Sequence, residues 1–122
     1  MKSVMIVDDS EADQYLAQDV IEQFDPNIEI HQAFDGKEAL EKLSVLDPQP
    51  DVIFLDINMP RMNGHEFLEV YSQWENHSKV VIMLTSSDQD YDKEKSKAHN
   101  TVINYFIKPL QLEALKSIVP LV

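Results

Sequence analysis

Four short apolar runs in this chain end in residues able to do chemistry. "SVMIV" leads into Asp8-Asp9, "VIFL" into Asp56, "VVIML" into Thr85-Ser86 and "NYFI" into Lys108-Pro109. If folding gathers those ends, three carboxylates, a hydroxyl and an ammonium share one pocket. Two carboxylates about 4 Å apart repel by roughly 4 kcal/mol at an effective dielectric of 20, so such a cluster needs a cation. Oxygen donors without His or Cys favour Mg²⁺ over zinc, and Mg²⁺ is ordinarily held by a few carboxylates together with water and phosphate oxygens. Lys108 supplies a second positive charge, and the Thr85 hydroxyl can donate to an incoming oxygen. The set describes an electrostatic clamp for a phosphoryl group, with an Asp as the acceptor.

The elements that must position these residues are legible in the hydrophobic pattern. "SVMIV", "IEIHQAF", "DVIFL", "KVVIML" and "TVINYFI" are short and rich in β-branched or aromatic residues, as buried strands are. Between them lie residues at helical spacing: Leu16, Val20, Phe24; Leu40, Leu43, Leu46; Phe67, Leu68, Tyr71; and Leu112, Leu115, Val119. Strands that alternate with helices imply a parallel sheet covered on both faces through right-handed crossovers. The expected fold is therefore α/β, a flavodoxin-like, doubly wound (βα)5 three-layer sandwich. In the sheet order 2-1-3-4-5, strands one, three, four and five are neighbours, and function gathers beyond their carboxyl ends. Asp25-Pro26-Asn27 should close the first helix and Asp35-Gly36 open the second. The segment Ser86 to Asn100 has only Tyr91 and Ala98 as inward anchors, which predicts a helix of low local stability.

Length and composition bound the rest. At 122 residues the chain fits one domain, 1–122, able to bury roughly two thirds of its unfolded surface. There is no Cys, so neither a disulfide nor a thiolate metal site is available. The start "MKSVMIVDDS" does not read as a secretory signal, and no apolar run is long enough to span a bilayer, so a cytoplasmic protein without membrane insertion is expected. Ten Lys plus Arg against 22 Asp plus Glu give a formal charge of -12, which disfavours direct nucleic-acid binding. His31, His65, His77 and His99 share no metal-ligand spacing and read as surface or packing residues.

The motifs "VDDS", "LDINMPRMNG", "LTSS" and "YFIKPL", in this order and spacing, resemble the response-regulator receiver domain of two-component signalling over essentially the whole chain. The resemblance implies a role for each residue. Asp56 is the phosphoacceptor, Asp9 the direct Mg²⁺ ligand, and Asp8 the acid that holds the metal largely through water. Asn58 offers a backbone carbonyl to the metal. Thr85 and Lys108 bind the phosphoryl oxygens, Tyr105 is the aromatic switch, and a cis Pro109 aims Lys108 inward. It further implies a stand-alone phosphorelay protein rather than an enzyme. The phosphodonor would be a sensor histidine kinase or phosphotransfer protein, docking near Ala12, Tyr15 and Leu16 with Pro109-Leu110. A downstream protein target, not readable from sequence, would be signalled through the face of the fourth helix, fifth strand and fifth helix. Asn58 and Ser87 occupy the positions that tune hydrolysis of the phosphoryl group.

The chain departs from the family pattern at Thr101-Val102, where Gly-Ala is common, and at Ser86, where Ala is common. Asn100 could replace the Gly as a left-handed helix cap, and Gly64 is expected to free the turn into the third helix. Two other readings compete. A haloacid-dehalogenase-like Mg²⁺-dependent phosphatase would need an acid where this chain has Asn58. A flavodoxin-like flavin binder would need a hydroxyl- and Gly-rich loop where this chain has "DDSEAD".

Overall fold

The computed structural model describes residues 1–85 and 90–122. Five strands and five helices alternate along it: β1 Ser3–Val7, α1 Glu11–Phe24, β2 Glu29–Ala33, α2 Gly36–Leu43, β3 Val52–Asp56, α3 Gly64–Tyr71, β4 Lys79–Leu84, α4 Asp90–Ser96, β5 Val102–Ile107 and α5 Leu112–Ile118. A single 3₁₀ turn follows at Val119–Leu121. The strands are all parallel in the order β2-β1-β3-β4-β5, the expected doubly wound sheet. Ser86 and Ser87 lie outside the described residues. No helix among the described residues is long and apolar enough to cross a membrane.

Period-two alternation along the strands sorts the core into two layers. Val4, Ile6, Val52, Phe54, Val81 and Met83 point to the face covered by α1 and α5, where they meet Ala17, Ile21, Leu115 and Ile118. Met5, Val7, Ile53, Leu55, Val80 and Ile82 point to the other face, against Ala39, Leu43, Phe67, Leu68 and Tyr71 of α2 and α3. β3 is buried along its whole length, so Asp56 ends the most enclosed strand of the sheet.

The helix starts follow from their caps. Ser10 accepts from the Asp13 N–H at 3.2 Å, Asp35 accepts from the Glu38 N–H at 2.8 Å, and Asn63 and Glu66 form a reciprocal capping box. Asp25 and Asp35 mark the end of α1 and the start of α2 as expected.

Several inward faces differ from the apolar spacing. In α1 the buried residues are Gln14, Ala17 and Ile21, whereas Leu16 is exposed and Val20 and Phe24 are half-buried. The small Ala17 lets the helix approach the sheet. Gln14 is buried because its amide NH₂ donates to the carbonyls of Ile6, Asp8 and Ala33 at 2.9 to 3.1 Å. In α5, Ile118 rather than Val119 faces the core. Neither expected anchor turns inward: Tyr91 of α4 is 72% exposed, Ala98 past its end is exposed, and the buried position of α4 is Ser96.

Polar contacts hold α4 instead. His65 of α3, only 7% exposed, lies with Nε2 2.8 Å from Asp92 Oδ1, and the Tyr105 hydroxyl donates to the Lys93 carbonyl at 3.2 Å. The packing role expected of His65 thus includes an acidic partner.

The departures at the entry to β5 also find their reason. Thr101 is buried, and its Oγ1 lies 2.8 Å from Ser72 Oγ at the end of α3, a tie that Gly could not make. The β4–β5 register then shifts between Val80 and Val81, so that Ile103 is an extra residue on β5. Asn100 is no left-handed cap: among the described residues, Arg61 alone of the non-glycines has a positive φ, 62°.

Candidate functional site

β1, β3 and β5 deliver three of the site residues to one place. Asp8 is the first residue past β1, its N–H bonded to the Ala33 carbonyl at 3.0 Å. Its carboxylate is shared, Oδ1 accepting from the Ser10 N–H at 2.9 Å and Oδ2 from Lys108 Nζ at 2.8 Å. Ser10 is also the cap of α1, so the short run from Asp8 to Ser10 both orients a site acid and starts a helix. Asp9, between them, is exposed. Asp56 is 6% exposed, and its Oδ1 accepts from the Ile57 N–H at 2.9 Å. Lys108 follows β5, with its N–H on the Leu84 carbonyl at 2.7 Å and a cis bond to Pro109, as the resemblance implies. Thr85 is exposed, one residue past β4.

The loop after Asp56 is fixed by close backbone approach. An added Cβ on Gly64 would stand 2.5 Å from the Asp56 carbonyl oxygen and 2.9 Å from Ile57 Cα. Gly64 is therefore required by contact, since no glycine has a positive φ. Arg61 occupies the left-handed region that the sequence assigned to a glycine or Asn elsewhere, and its Nε donates to Asp35 Oδ2 at 2.6 Å. Gly36 N–H donates to the Met62 carbonyl at 3.0 Å. These two bonds tie the start of α2 to the loop that carries Asn58, an exposed residue.

Carboxylate oxygens of Asp8, Asp9 and Asp56 all lie within 4.8 Å of one another. A six-coordinate cation about 2.1 Å from its oxygens spans such a spread directly or through one of its own waters. The donors are all oxygen, which suits a hard divalent ion, and the residues present fit Mg²⁺.

The electrostatics match. Burial pushes the Asp56 carboxyl up to about 6, with Lys108 opposing and the negative Asp8 reinforcing the rise. Burial acts to lower the Lys108 ammonium, but hydrogen bonds to Asp8 and Asp13 and the charge of Asp56 outweigh it, and its pKa lies well above the ordinary lysine value. Lys108 Nζ is 3.4 Å from Asp56 Oδ1, an ion pair looser than its hydrogen bonds.

Two residues of this neighbourhood were missed by the sequence reading. Asp13, on the first turn of α1, lies with Oδ2 2.9 Å from Lys108 Nζ, and Gln14 braces the carboxyl ends of β1 and β2. A polar residue on an otherwise inward helical stripe signalled Gln14; nothing in the spacing signalled Asp13. Of the expected docking residues, Ala12, Tyr15, Leu16 and Pro109 are exposed, whereas Leu110 is buried. Leu110 lines a shallow cleft, open to solvent, whose walls include Leu16, Phe54, Met83 and the Asp13–Lys108 pair.

Comparison with known proteins agrees with this fold. The model of the response regulator receiver domain family matches residues 4–120. The chain is 33% identical to Protein PilG of Pseudomonas aeruginosa over 113 residues, covering 92% of this chain and 80% of that protein. It is 29% identical to chemotaxis protein CheY of Thermotoga maritima over 121 residues, covering 96% and 97%. A two-component response regulator from Cytophaga hutchinsonii superposes with a TM-score of 0.87 at 30% identity, covering 98% of this chain and 95% of that one.

Proposed function

Because the chain belongs to the response regulator receiver domain family, we propose that it accepts a phosphoryl group on Asp56, with Mg²⁺, from a histidine kinase or phosphotransfer protein. The observation that carries this reading is Lys108 Nζ set 2.8 Å from Asp8 and 3.4 Å from Asp56, beside three carboxylates whose oxygens lie within 4.8 Å. That membership displaces the phosphatase and flavin-binding alternatives. A signalling protein, acting in the cytoplasm through contact with a downstream protein, is the corresponding role.

At pH 7 an acid with a pKa of about 6 is mostly ionised, so Asp56 is a competent nucleophile despite its burial. One Asp56 carboxylate oxygen attacks phosphorus, the bond from phosphorus to the donor nitrogen breaks, and an acyl phosphate forms. Asp8, Asp9, Asp56 and the Asn58 carbonyl would hold Mg²⁺, which supplies neutralisation of the carboxylates and of the charge on the transferring phosphoryl oxygens. Lys108 and the Thr85 hydroxyl bind those oxygens. The rigid end of β3 keeps Asp56 in line with the donor.

Intact-mass measurement after incubation with acetyl phosphate and Mg²⁺ tests the reading. One phosphoryl group should be gained, should require Mg²⁺, and should be absent in Asp56→Asn. Equal labelling of that variant would reject Asp56 as the acceptor.

A further inference from the structure

Lys108 is shared among three acids, and only two of them belong to the carboxylate cluster. Its ammonium has three N–H donors. Asp8 and Asp13 take hydrogen bonds at 2.8 and 2.9 Å, while Asp56 stands back at 3.4 Å. The lysine is therefore drawn toward the start of α1 rather than centred on the acceptor. We propose that Asp13 is a positioning residue for Lys108, an internal anion that competes with the phosphoryl group for the ammonium. This inference rests on Asp56 being the phosphoacceptor.

Burial decides which partner gives way. A phosphoryl group on Asp56 adds oxygens that the third N–H of Lys108 can meet, and drawing the ammonium from its 3.4 Å stand-off toward them stretches one of its two existing hydrogen bonds. The Asp8 side chain is 7% exposed, so deserting it would leave a buried charge with less compensation. The Asp13 side chain is 38% exposed, and water can replace the lysine there. Nothing else in Asp13 must move, because its backbone N–H is fixed by the Ser10 cap. Asp13 thus holds Lys108 oriented before the reaction and releases it when the phosphoryl oxygens arrive. The competition raises the donor concentration needed for capture, without changing the groups that touch phosphorus.

The test is the initial rate of Asp56 phosphorylation by acetyl phosphate at saturating Mg²⁺, followed by intact mass across donor concentrations. Four proteins are compared: native, Asp13→Asn, Asp13→Glu and Glu11→Gln. Asp13→Asn should lower the half-saturating donor concentration about fivefold, the scale of one partly exposed ion pair, with the maximal rate within about twofold of native. Asp13→Glu, which restores a carboxylate able to reach Lys108, should return the native dependence. Glu11 is exposed on the same turn but is not one of the three acids on Lys108, so Glu11→Gln removes equal charge without the contact and should have little effect. An unchanged or higher half-saturation in Asp13→Asn overturns the inference, as does an equal fall in Glu11→Gln. If the native protein takes no phosphoryl group, the functional reading fails and this inference with it; labelling of the native protein without a response at position 13 overturns this inference alone.

Discussion

At the residue scale the cost of the site is concentrated on Asp56. Its pKa of about 6 in the folded chain exceeds the ordinary 3.8, so between those values the folded state holds a proton that the unfolded state has released. Stability must then fall as pH rises from about 4 to about 6, by up to about 3 kcal/mol from this group. Asp35 acts in the opposite sense: burial raises its pKa, but the Arg61 hydrogen bond and the Glu38 N–H outweigh that, so its contribution is present above its unfolded pKa and is lost only in more acid solution. The two windows are separate. Melting in the presence of a chelator should therefore show native protein losing stability relative to Asp56→Asn across pH 4 to 6, with no further divergence above about 7. Parallel curves would mean that Asp56 carries no burial penalty. Asp9→Asn, by contrast, should weaken Mg²⁺ binding measured by titration calorimetry, because it removes an exposed acid of the cluster.

Among the elements, α1 does more than cover the sheet. Gln14 places one amide NH₂ against the carbonyls of Ile6, Asp8 and Ala33, which fixes the ends of β1 and β2 where the site begins. Gln14→Leu keeps the volume but leaves buried carbonyls without that donor, and urea unfolding should show a loss of about 1–3 kcal/mol. Gln14→Glu should cost more at neutral pH, since a carboxylate would face three carbonyl oxygens. A substitution of Gln14 that leaves stability unchanged would show that the ladder bonds alone hold those strand ends. α4 is the converse case. Its seven residues bury only Ser96, and its described ties include the polar contacts from His65 and Tyr105 and an edge-on ring contact between Tyr91 and His65.

Across the whole molecule, that contrast predicts where a signal can travel. The sheet and its two apolar layers are closely packed, whereas α4 rests on contacts that a small rearrangement can exchange. If the proposed phosphoryl group draws Thr85 inward, it would open space for the half-buried Tyr105 ring to turn and release the Lys93 carbonyl that its hydroxyl now bonds. Moving such an equilibrium from 1:99 to 99:1 takes about 5.5 kcal/mol of differential binding, within reach of two charge-assisted contacts and a metal. Amide exchange with and without beryllofluoride should accordingly change more over Asp90 to Lys108 than over α1 and α2. Changes confined to the loops at Asp8 and Asp56 would place the output elsewhere.

Sequence alone indicated a parallel sheet of alternating strands and helices, because period-two and period-3.6 hydrophobicity and short connections leave few topologies open, while the flavodoxin-like likeness supplied its order and hence the expected convergence of Asp8, Asp56 and Lys108. Strand-end chemistry needed no knowledge of packing, since a strand's last residue emerges at the same edge whatever its neighbours do. Tertiary structure decided which face of each helix turns inward: Ala17 and Gln14 displaced Leu16 because close approach and buried carbonyls outweigh hydrophobicity at that contact. It also decided that Gly64 is there to avoid a backbone clash, that Arg61 takes the left-handed position, and that Thr101 bonds Ser72. Asp13 shows the limit most plainly. Its place beside Lys108 depends on a separation of 95 residues closed by the fold, and no local pattern encodes a distance of that kind.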